Sequence, residues 1–471
     1  MCVAGARVCN DQGDGFGPCE GEVTPTAEDC ATLADEDCQG DALECGAFHW
    51  KKHFGGVASD EGTSIAVDPQ DGVIIAGVFD QGSKISFGGG AFTNKGDFDG
   101  FVASFDGGGQ HRWSRAFGGA AGDAIRGVAV DSTGAVIVTG DAQGPIDLGG
   151  GLLTPVDQDL IVAKYNSEGA HLWSALYKSP GQQIGLSCAS APGDAVILGG
   201  NFTQSFDLGG GALTSAGGFD VFIAKLDASG KHLWSKRLGD AAVDYLHATA
   251  VAEDGAIIQA GHFAGGLDYG GGALTSAGGV DIFVAKLDAD GGHLWSKSFG
   301  DPGDQRAEAA ASAGGGRVVI GGAFNGTIDL GGGALTSAGG KDGFVAVFDA
   351  DGGHLWSRRL SGPQNDRIMS VAADLDGNIF VAGHFTGSMD VGGATLTGDG
   401  LSAFIVKYDP AGQHLFSASY PADVRSLLTG VAADTHGDLF MLGLFSGVIS
   451  LDGDPLLSAG YDDVFLAKIS P

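Results

Sequence analysis

Basic residues are scarce in this chain. Lys and Arg total 25 against 58 Asp and Glu, a formal charge of −33 with a pI near 4.4, and such a chain repels nucleic-acid phosphates and anionic membrane surfaces. Nucleic-acid partners are therefore not expected. The acidity reads first as a solvated surface that keeps the protein soluble, and it leaves Ca²⁺ and cationic groups as species it attracts. Long apolar runs are missing too, so no segment reaches the eighteen or so residues that a membrane-spanning helix needs. No basic region followed by an apolar one opens the chain before its cysteine-rich stretch, so the expectation is either a cytosolic protein or a chain that begins part-way into a longer one, and the placement of the cysteines favours the latter. Helix-length periodicity is absent throughout. The G-x-S-x-G elbow and the H-E-x-x-H helix are also absent, which removes support for serine-hydrolase and zincin chemistry.

What the chain has in excess is glycine, 86 of 471 residues, alongside 43 % apolar residues. That combination fits neither collagen nor a disordered linker; it asks for many turns and many short buried strands. At this length the chain is either several domains or one large repetitive one.

Cysteine is unevenly placed. Cys2, Cys9, Cys19, Cys30, Cys38 and Cys45 crowd the start, and Cys188 stands alone in the remainder. An even number of cysteines in polar, turn-rich sequence predicts a small disulfide-stapled segment, residues 1–46, with the fifteen pairings left open and an oxidising, extracellular or cell-surface location. A zinc site is the weaker alternative, because no CxxC pair occurs and no His precedes His49. Asp35-Glu36-Asp37-Cys38-Gln39-Gly40-Asp41 partly follows a calcium-loop opening, which puts Asp35, Asp37 and Asp41 forward as Ca²⁺ ligands. Gln39 and Gly46 break that pattern, so a solvated acidic turn stands beside it.

Internal repeats dominate the rest. Trp50, Trp113, Trp173, Trp234, Trp295, Trp356 and Phe416 recur every 60 to 63 residues. They mark seven copies of one unit across residues 47–471. Within a copy, four apolar runs are separated by glycine-rich or Asp/Gly turns, as in Ser64–Asp68, Val73–Phe79, Phe101–Phe105 and His111–Phe117. The predicted fold is all-β, a seven-bladed β-propeller of four-stranded blades. The last copy lacks a fourth strand and Phe48–Phe54 is an orphan one, so pairing the two closes the ring and leaves no open edge.

Two resemblances follow from these residues. Asp220-Val221-Phe222-Ile223-Ala224-Lys225-Leu226-Asp227 and Gly127-Val128-Ala129-Val130-Asp131 resemble the SBBP β-propeller repeat, which implies the same fold and an extracytoplasmic bacterial setting. The head, through Cys2, Gly5, Cys9, Gly17, Cys19, Gly21, Glu22, Val23, Pro25, Glu28, Cys30, Asp35, Glu36, Asp37, Cys38 and Gly40, resembles a cysteine-rich motif found beside repeat domains in myxobacterial surface proteins.

Aligning the copies separates scaffold from candidates. His111, His171, His232, His293, His354 and His414 lie two residues before each aromatic, one per copy on the outermost strand, and so cannot converge on one metal. Ala66, Ala129, Ala189, Ala250, Ala311, Ala372 and Ala432 sit sixteen residues after it, small side chains suited to strands crowded round a narrow axis. Cys188 reads as a buried small hydrophobe. Asp288-Ala289-Asp290-Gly291-Gly292 reads as a hairpin turn. GGGALTSAGG, written at 209–218, 270–279 and 331–340, fails the phosphate-loop spacing and predicts a small hairpin anchored by Ile328, Leu330 and Leu335.

Function is expected where polar chemistry varies between copies on a common surface. Just beyond the second-strand glycine stand Asp141, Asn201, His262 and His384; just before the first strand stand Arg126, His247 and Glu308. These seven are the candidate ligand-binding residues at the mouth of the channel. The expectation is a secreted or cell-surface, monomeric, non-enzymatic propeller that binds an extracellular protein or glycan. The alternative is an extracellular lyase or glycan hydrolase with an acid/base pair at that mouth.

Overall fold

The computed structural model describes residues 46–471. The disulfide-stapled segment, with Cys2, Cys9, Cys19, Cys30, Cys38 and Cys45 and the Ca²⁺ candidates Asp35, Asp37 and Asp41, lies outside the described residues. Among those described, one short 3₁₀ turn at Gly314–Gly316 interrupts an otherwise all-β chain, and no helix is long and apolar enough to cross a membrane.

Each copy folds as the hydrophobic pattern dictates. In copy one, Asp60–Val67, Val73–Asp80, Phe98–Phe105 and His111–Phe117 form a four-stranded antiparallel meander. Copies two to five repeat it as separate four-stranded sheets. Copies six and seven share a sheet through a single parallel bridge between Leu401 and Arg425. Second and third strands are buried along their whole length, as in Ile257–Phe263 and Asp281–Leu287, and are correspondingly rich in apolar residues. The orphan strand Ala47–Phe54 pairs antiparallel with Asp463–Ser470, from Ala47 opposite Ser470 to Phe54 opposite Val464. Phe440, Leu442, Val464 and Leu466 of copy seven then pack with Val73, Ile75 and Phe101 of copy one.

The aromatic that marks each repeat joins neighbours. Trp113 Nε1 donates to Ser167 O at 2.9 Å and Trp173 Nε1 to Ala228 O at 3.0 Å, each reaching the last hairpin of the next copy. The repeated histidines are local fixtures, as their spacing implied: His232 Nε2 lies 3.0 Å from Ser235 Oγ, and the same pair recurs in the other copies that carry it. Their rings also explain the glycine triplets. Asp207 Oδ1 accepts the N–H groups of Gly209 and Gly211, both at φ +108°, and a Cβ on Gly210 would stand 2.2 Å from the His232 ring. GGGALTSAGG thus forms the expected hairpin, with Thr327–Asp329 paired to Ala334–Thr336, Ile328 and Leu330 fully buried and Leu335 packed on the same core. The alanines fill the gaps between sheets near the axis: Ala129 packs with Ile137, Leu160 and Leu198.

Burial creates one feature that the repeat pattern did not announce. Asp60, Asp123 and Asp244 open the first strands of their copies in complete burial and Asp366, equally buried, stands just before that of copy six, with Gln183 and Gln305 at the same place in copies three and five. Each aspartate clips the preceding loop by accepting an N–H four residues back, as Asp60 does from Gly56 at 2.7 Å and Asp244 from Asp240 at 3.0 Å. Burial, reinforced by a neighbouring third-strand carboxylate, pushes Asp60, Asp244 and Asp366 up to about 7 and Asp123 to about 6.

Candidate functional site

A strand that must pair on one side and expose a side chain at its end can do both by bulging. Every first strand does so, with register shifts at Gly62/Ser64, Ile125/Gly127, Gly185/Ser187, Leu246/Ala248, Ala307/Ala309, Ile368/Ser370 and Leu428/Gly430. The residue skipped in each is Thr63, Arg126, Leu186, His247, Glu308, Met369 or Thr429. A bulge re-aims the extra side chain, and these residues line one central cavity of about 320 Å³, together with the two that follow each of them. Arg126, His247 and Glu308 therefore share a space, as the copy alignment proposed.

Polar chemistry is concentrated on one side of it. His247 Nδ1 lies 3.4 Å from Glu308 Oε2, and Arg367 donates to Glu308 Oε1 at 2.6 Å. His247 Nε2 is 3.0 Å from His262 Nδ1, and the Tyr245 ring stacks on His262 with centroids 5.6 Å apart and planes 8° from parallel. His384 stands opposite Arg367 in the strand ladder, with its Nδ1 buried and without a hydrogen-bond partner. Burial and nearby cations disfavour a charged imidazole: His262 is pushed down to about 3 by burial, His247 and Arg306, and His384 to about 4 by burial and Arg367. His247 is lowered as well, by burial against the opposing pull of Glu308. Their surroundings thus favour the neutral imidazole.

The remaining candidates stand apart from this group. Asp141, fully buried, is ion-paired with Arg126 and accepts Gln158 Nε2 at 2.7 Å. Asn201, also fully buried, accepts the Leu246 N–H at 2.9 Å and so ties copy three to copy four. Asp141 is thereby tied to the cavity-lining Arg126, whereas Asn201 serves a backbone N–H and leaves its buried Nδ2 without a hydrogen-bond partner. The expected single rim is thus two groups: Arg126, Asp141 and Asn201 in copies two and three, and a connected cluster in copies four to six.

Arg306, Lys341, Arg367 and Tyr245 were missed. Tyr245, Arg306 and Arg367 lie two residues before their copies' bulges, opposite His262, Ala323 and His384. Alternation along a strand was the available signal, since a residue two positions from a candidate faces the same side. Arg306, Glu308, Ala323, Lys341, Asn365, Asp366, Arg367 and His384 enclose a second cavity of about 220 Å³.

Elsewhere, Asp71, Asp434 and His436 bring ligand atoms within 4.8 Å of one another where copies one and seven meet. Lys468 Nζ sits 2.8 Å from Asp434, and Thr435 donates its N–H and hydroxyl to Asp71, so the group is a ready-made ion-pair and hydrogen-bond seam. Cys188, the single cysteine among the described residues, is buried, with its thiol pushed up to about 12 by burial. Asp288 Oδ1 accepts the N–H groups of Asp290 and Gly292, which makes that acidic turn a hairpin, as expected.

Repeated four-stranded antiparallel sheets packed against one another define the class: this is a β-propeller repeat protein. The SBBP β-propeller repeat matches residues 355–384, across the outer strand of copy five and the start of copy six. An uncharacterised WD repeat-containing protein of Acanthamoeba polyphaga mimivirus is 24 % identical over 127 residues, which is 24 % of this chain and 9 % of that protein. The match thus spans about a tenth of the length of that curated relative. Among solved structures, Sqt1 from Chaetomium thermophilum is similar at 12 % identity and a TM-score of 0.43, covering 88 % of this chain and 97 % of that one. YCF48 bound to D1 peptide is similar at 10 % identity and a TM-score of 0.41, covering 90 % and 99 %.

Proposed function

We propose that the protein is a secreted or cell-surface, monomeric, seven-bladed propeller that binds an extracellular ligand at the mouth of its channel without transforming it. The seven-bladed, closed form is supported by a bulge residue from each copy lining one cavity and by the pairing of Ala47–Phe54 with Asp463–Ser470. The location rests on the six clustered cysteines and their expected three disulfides. The observation that carries the binding reading is the chain of contacts from His262 through His247 and Glu308 to Arg367. Such a cluster offers donors and acceptors in fixed positions, which is what recognition requires.

Catalysis is less well served by the same cluster. A general base works best with a pKa near the working pH. His262 and His384, at about 3 and 4, take up a proton poorly. One Glu308 oxygen is already engaged by Arg367, and the other has the His247 ring 3.4 Å away. The convergence of Glu308, His247 and His262 is nevertheless what a lyase or glycan hydrolase would need, and it keeps that alternative in the test. The experiment is a glycan and small-molecule array on the purified full chain, with each retained compound re-examined by mass spectrometry. Retention of an unaltered compound supports binding; conversion supports the enzyme. A calcium-stabilised head, the role suggested for Asp35, Asp37 and Asp41, predicts a lower melting temperature in EDTA, and an unchanged one removes it.

A further inference from the structure

The cavity between copies five and six has a charge opposite to that of the chain. In a protein of formal charge −33, Arg306, Lys341 and Arg367 converge on a space of about 220 Å³. Cations gathered in an acidic protein would ordinarily be matched by carboxylates. Here Glu308 takes Arg367 at 2.6 Å, whereas among the described residues neither Arg306 nor Lys341 has a carboxylate within ion-pair distance. The second acid in the lining, Asp366, is fully buried; its Oδ2 accepts the Gly362 N–H at 2.6 Å and its Oδ1 has no hydrogen-bond partner. Arg306 Nε and His384 Nδ1 are both buried without a hydrogen-bond partner, a costly arrangement for polar atoms that line a cavity. The cavity exists because of one residue. Copies four and six place His262 and His384 opposite Tyr245 and Arg367; copy five places Ala323 opposite Arg306, which leaves room in front of the guanidinium.

We propose that this cavity is a carboxylate site, in which Arg306 and Lys341, flanked by Arg367 and His384, hold the carboxylate of a small organic acid or of a uronate sugar. This inference rests on the binding reading above and names the chemistry of its ligand. A guanidinium fork matches the two oxygens of a carboxylate and binds them through charge-assisted hydrogen bonds. Glu308, inside the lining, and the negative field of the acidic chain beyond the cations disfavour a doubly charged phosphate relative to a singly charged carboxylate.

The test is isothermal titration of the full chain with galacturonate, acetate, sulfate, phosphate and neutral galactose. Galacturonate binding without galactose binding is expected, weakened about tenfold or more by Arg306→Gln and by Lys341→Ala, and weakened by raising the salt concentration. Acetate binding as tightly as galacturonate assigns the site to a free small acid; markedly tighter galacturonate assigns it to a uronate. Phosphate or sulfate binding more tightly than either overturns the carboxylate assignment. Unchanged affinity in both variants overturns the location. Silence from every anion at about 10 mM, where even a site of millimolar affinity would be largely filled, overturns the inference. Retention of a neutral glycan by the array in that case leaves the binding reading standing. Lys341 is exposed, so its variant carries the test if Arg306→Gln fails to fold.

Discussion

Replacing Asp244 by Asn makes the strongest quantitative prediction. The Asp244 side chain is fully buried, it accepts the Asp240 N–H at 3.0 Å, and its other oxygen has no partner. Burial, then Asp240 and Asp220, raise its pKa to about 7 from 3.8. The folded protein therefore holds a proton that the unfolded chain releases once the pH passes about 3.8. This contribution to stability is fully present below that value, falls through the window from about 3.8 to 7, and is gone above it. At about 1.36 kcal/mol per unit, the loss at one such site is at most roughly 4 kcal/mol, and structural relaxation would reduce it. An amide of the same shape keeps the acceptor for Asp240 and never ionises, as Gln305 already shows in copy five, where its Oε1 accepts the Asp301 N–H at 3.1 Å. Asp244→Asn should leave the melting temperature nearly unchanged at pH 4 and raise it at pH 8, by the equivalent of about 1 to 3 kcal/mol. Differential scanning calorimetry of both proteins from pH 4 to 8 reads the difference. A variant that loses more stability at pH 8 than at pH 4 would refute the reasoning, since it would mean that the ionised carboxylate is what the fold holds.

Other positions test the scaffold. Gly261→Ala would set a Cβ 2.0 Å from Tyr245 O and 2.9 Å from the Phe283 ring, so a loss of about 3 kcal/mol in urea unfolding is expected; a neutral result would contradict the close approach of these strands. Phe54→Ala removes a ring stacked 5.4 Å from Phe105 and packed 5.0 Å from Phe87, and should cost about 3 to 5 kcal/mol by the same assay if the N-terminal strand is part of the core. Cys188 should resist a thiol reagent in the folded protein and react once it is unfolded, because burial holds its thiolate fraction negligible at pH 7; rapid labelling of the native protein would show that copy three opens.

The fold was legible because it is written repeatedly. The recurrence of Trp113, Trp173, Trp234 and their equivalents, with four apolar runs between them, predicts the four-stranded sheets, and the leftover strand at 48–54 predicts the pairing with the C-terminal sheet. The site was legible only in part. Aligning copies identified His247, Glu308, His262 and His384 because they vary where the scaffold does not. It could not separate them from Asp141 and Asn201, which vary equally but whose oxygens meet Arg126 and the Leu246 N–H. That distinction depends on which neighbour each side chain meets, a fact of packing between copies. Arg306 and Arg367 escaped notice because the bulge two positions further on disguises their place in the alternation. The buried acids Asp60 and Asp244 look in sequence like any other residue of an acidic chain, and burial alone gives them their altered proton affinity.

The most direct test of the central claim is the array run in parallel on the full chain and on its His247→Ala/Arg306→Gln variant, with retained compounds recovered after long incubation. The account predicts compounds held by the wild-type protein, released by the variant and recovered chemically intact. Identical retention by both proteins, or recovery of a cleaved or eliminated product from the wild type, would contradict it.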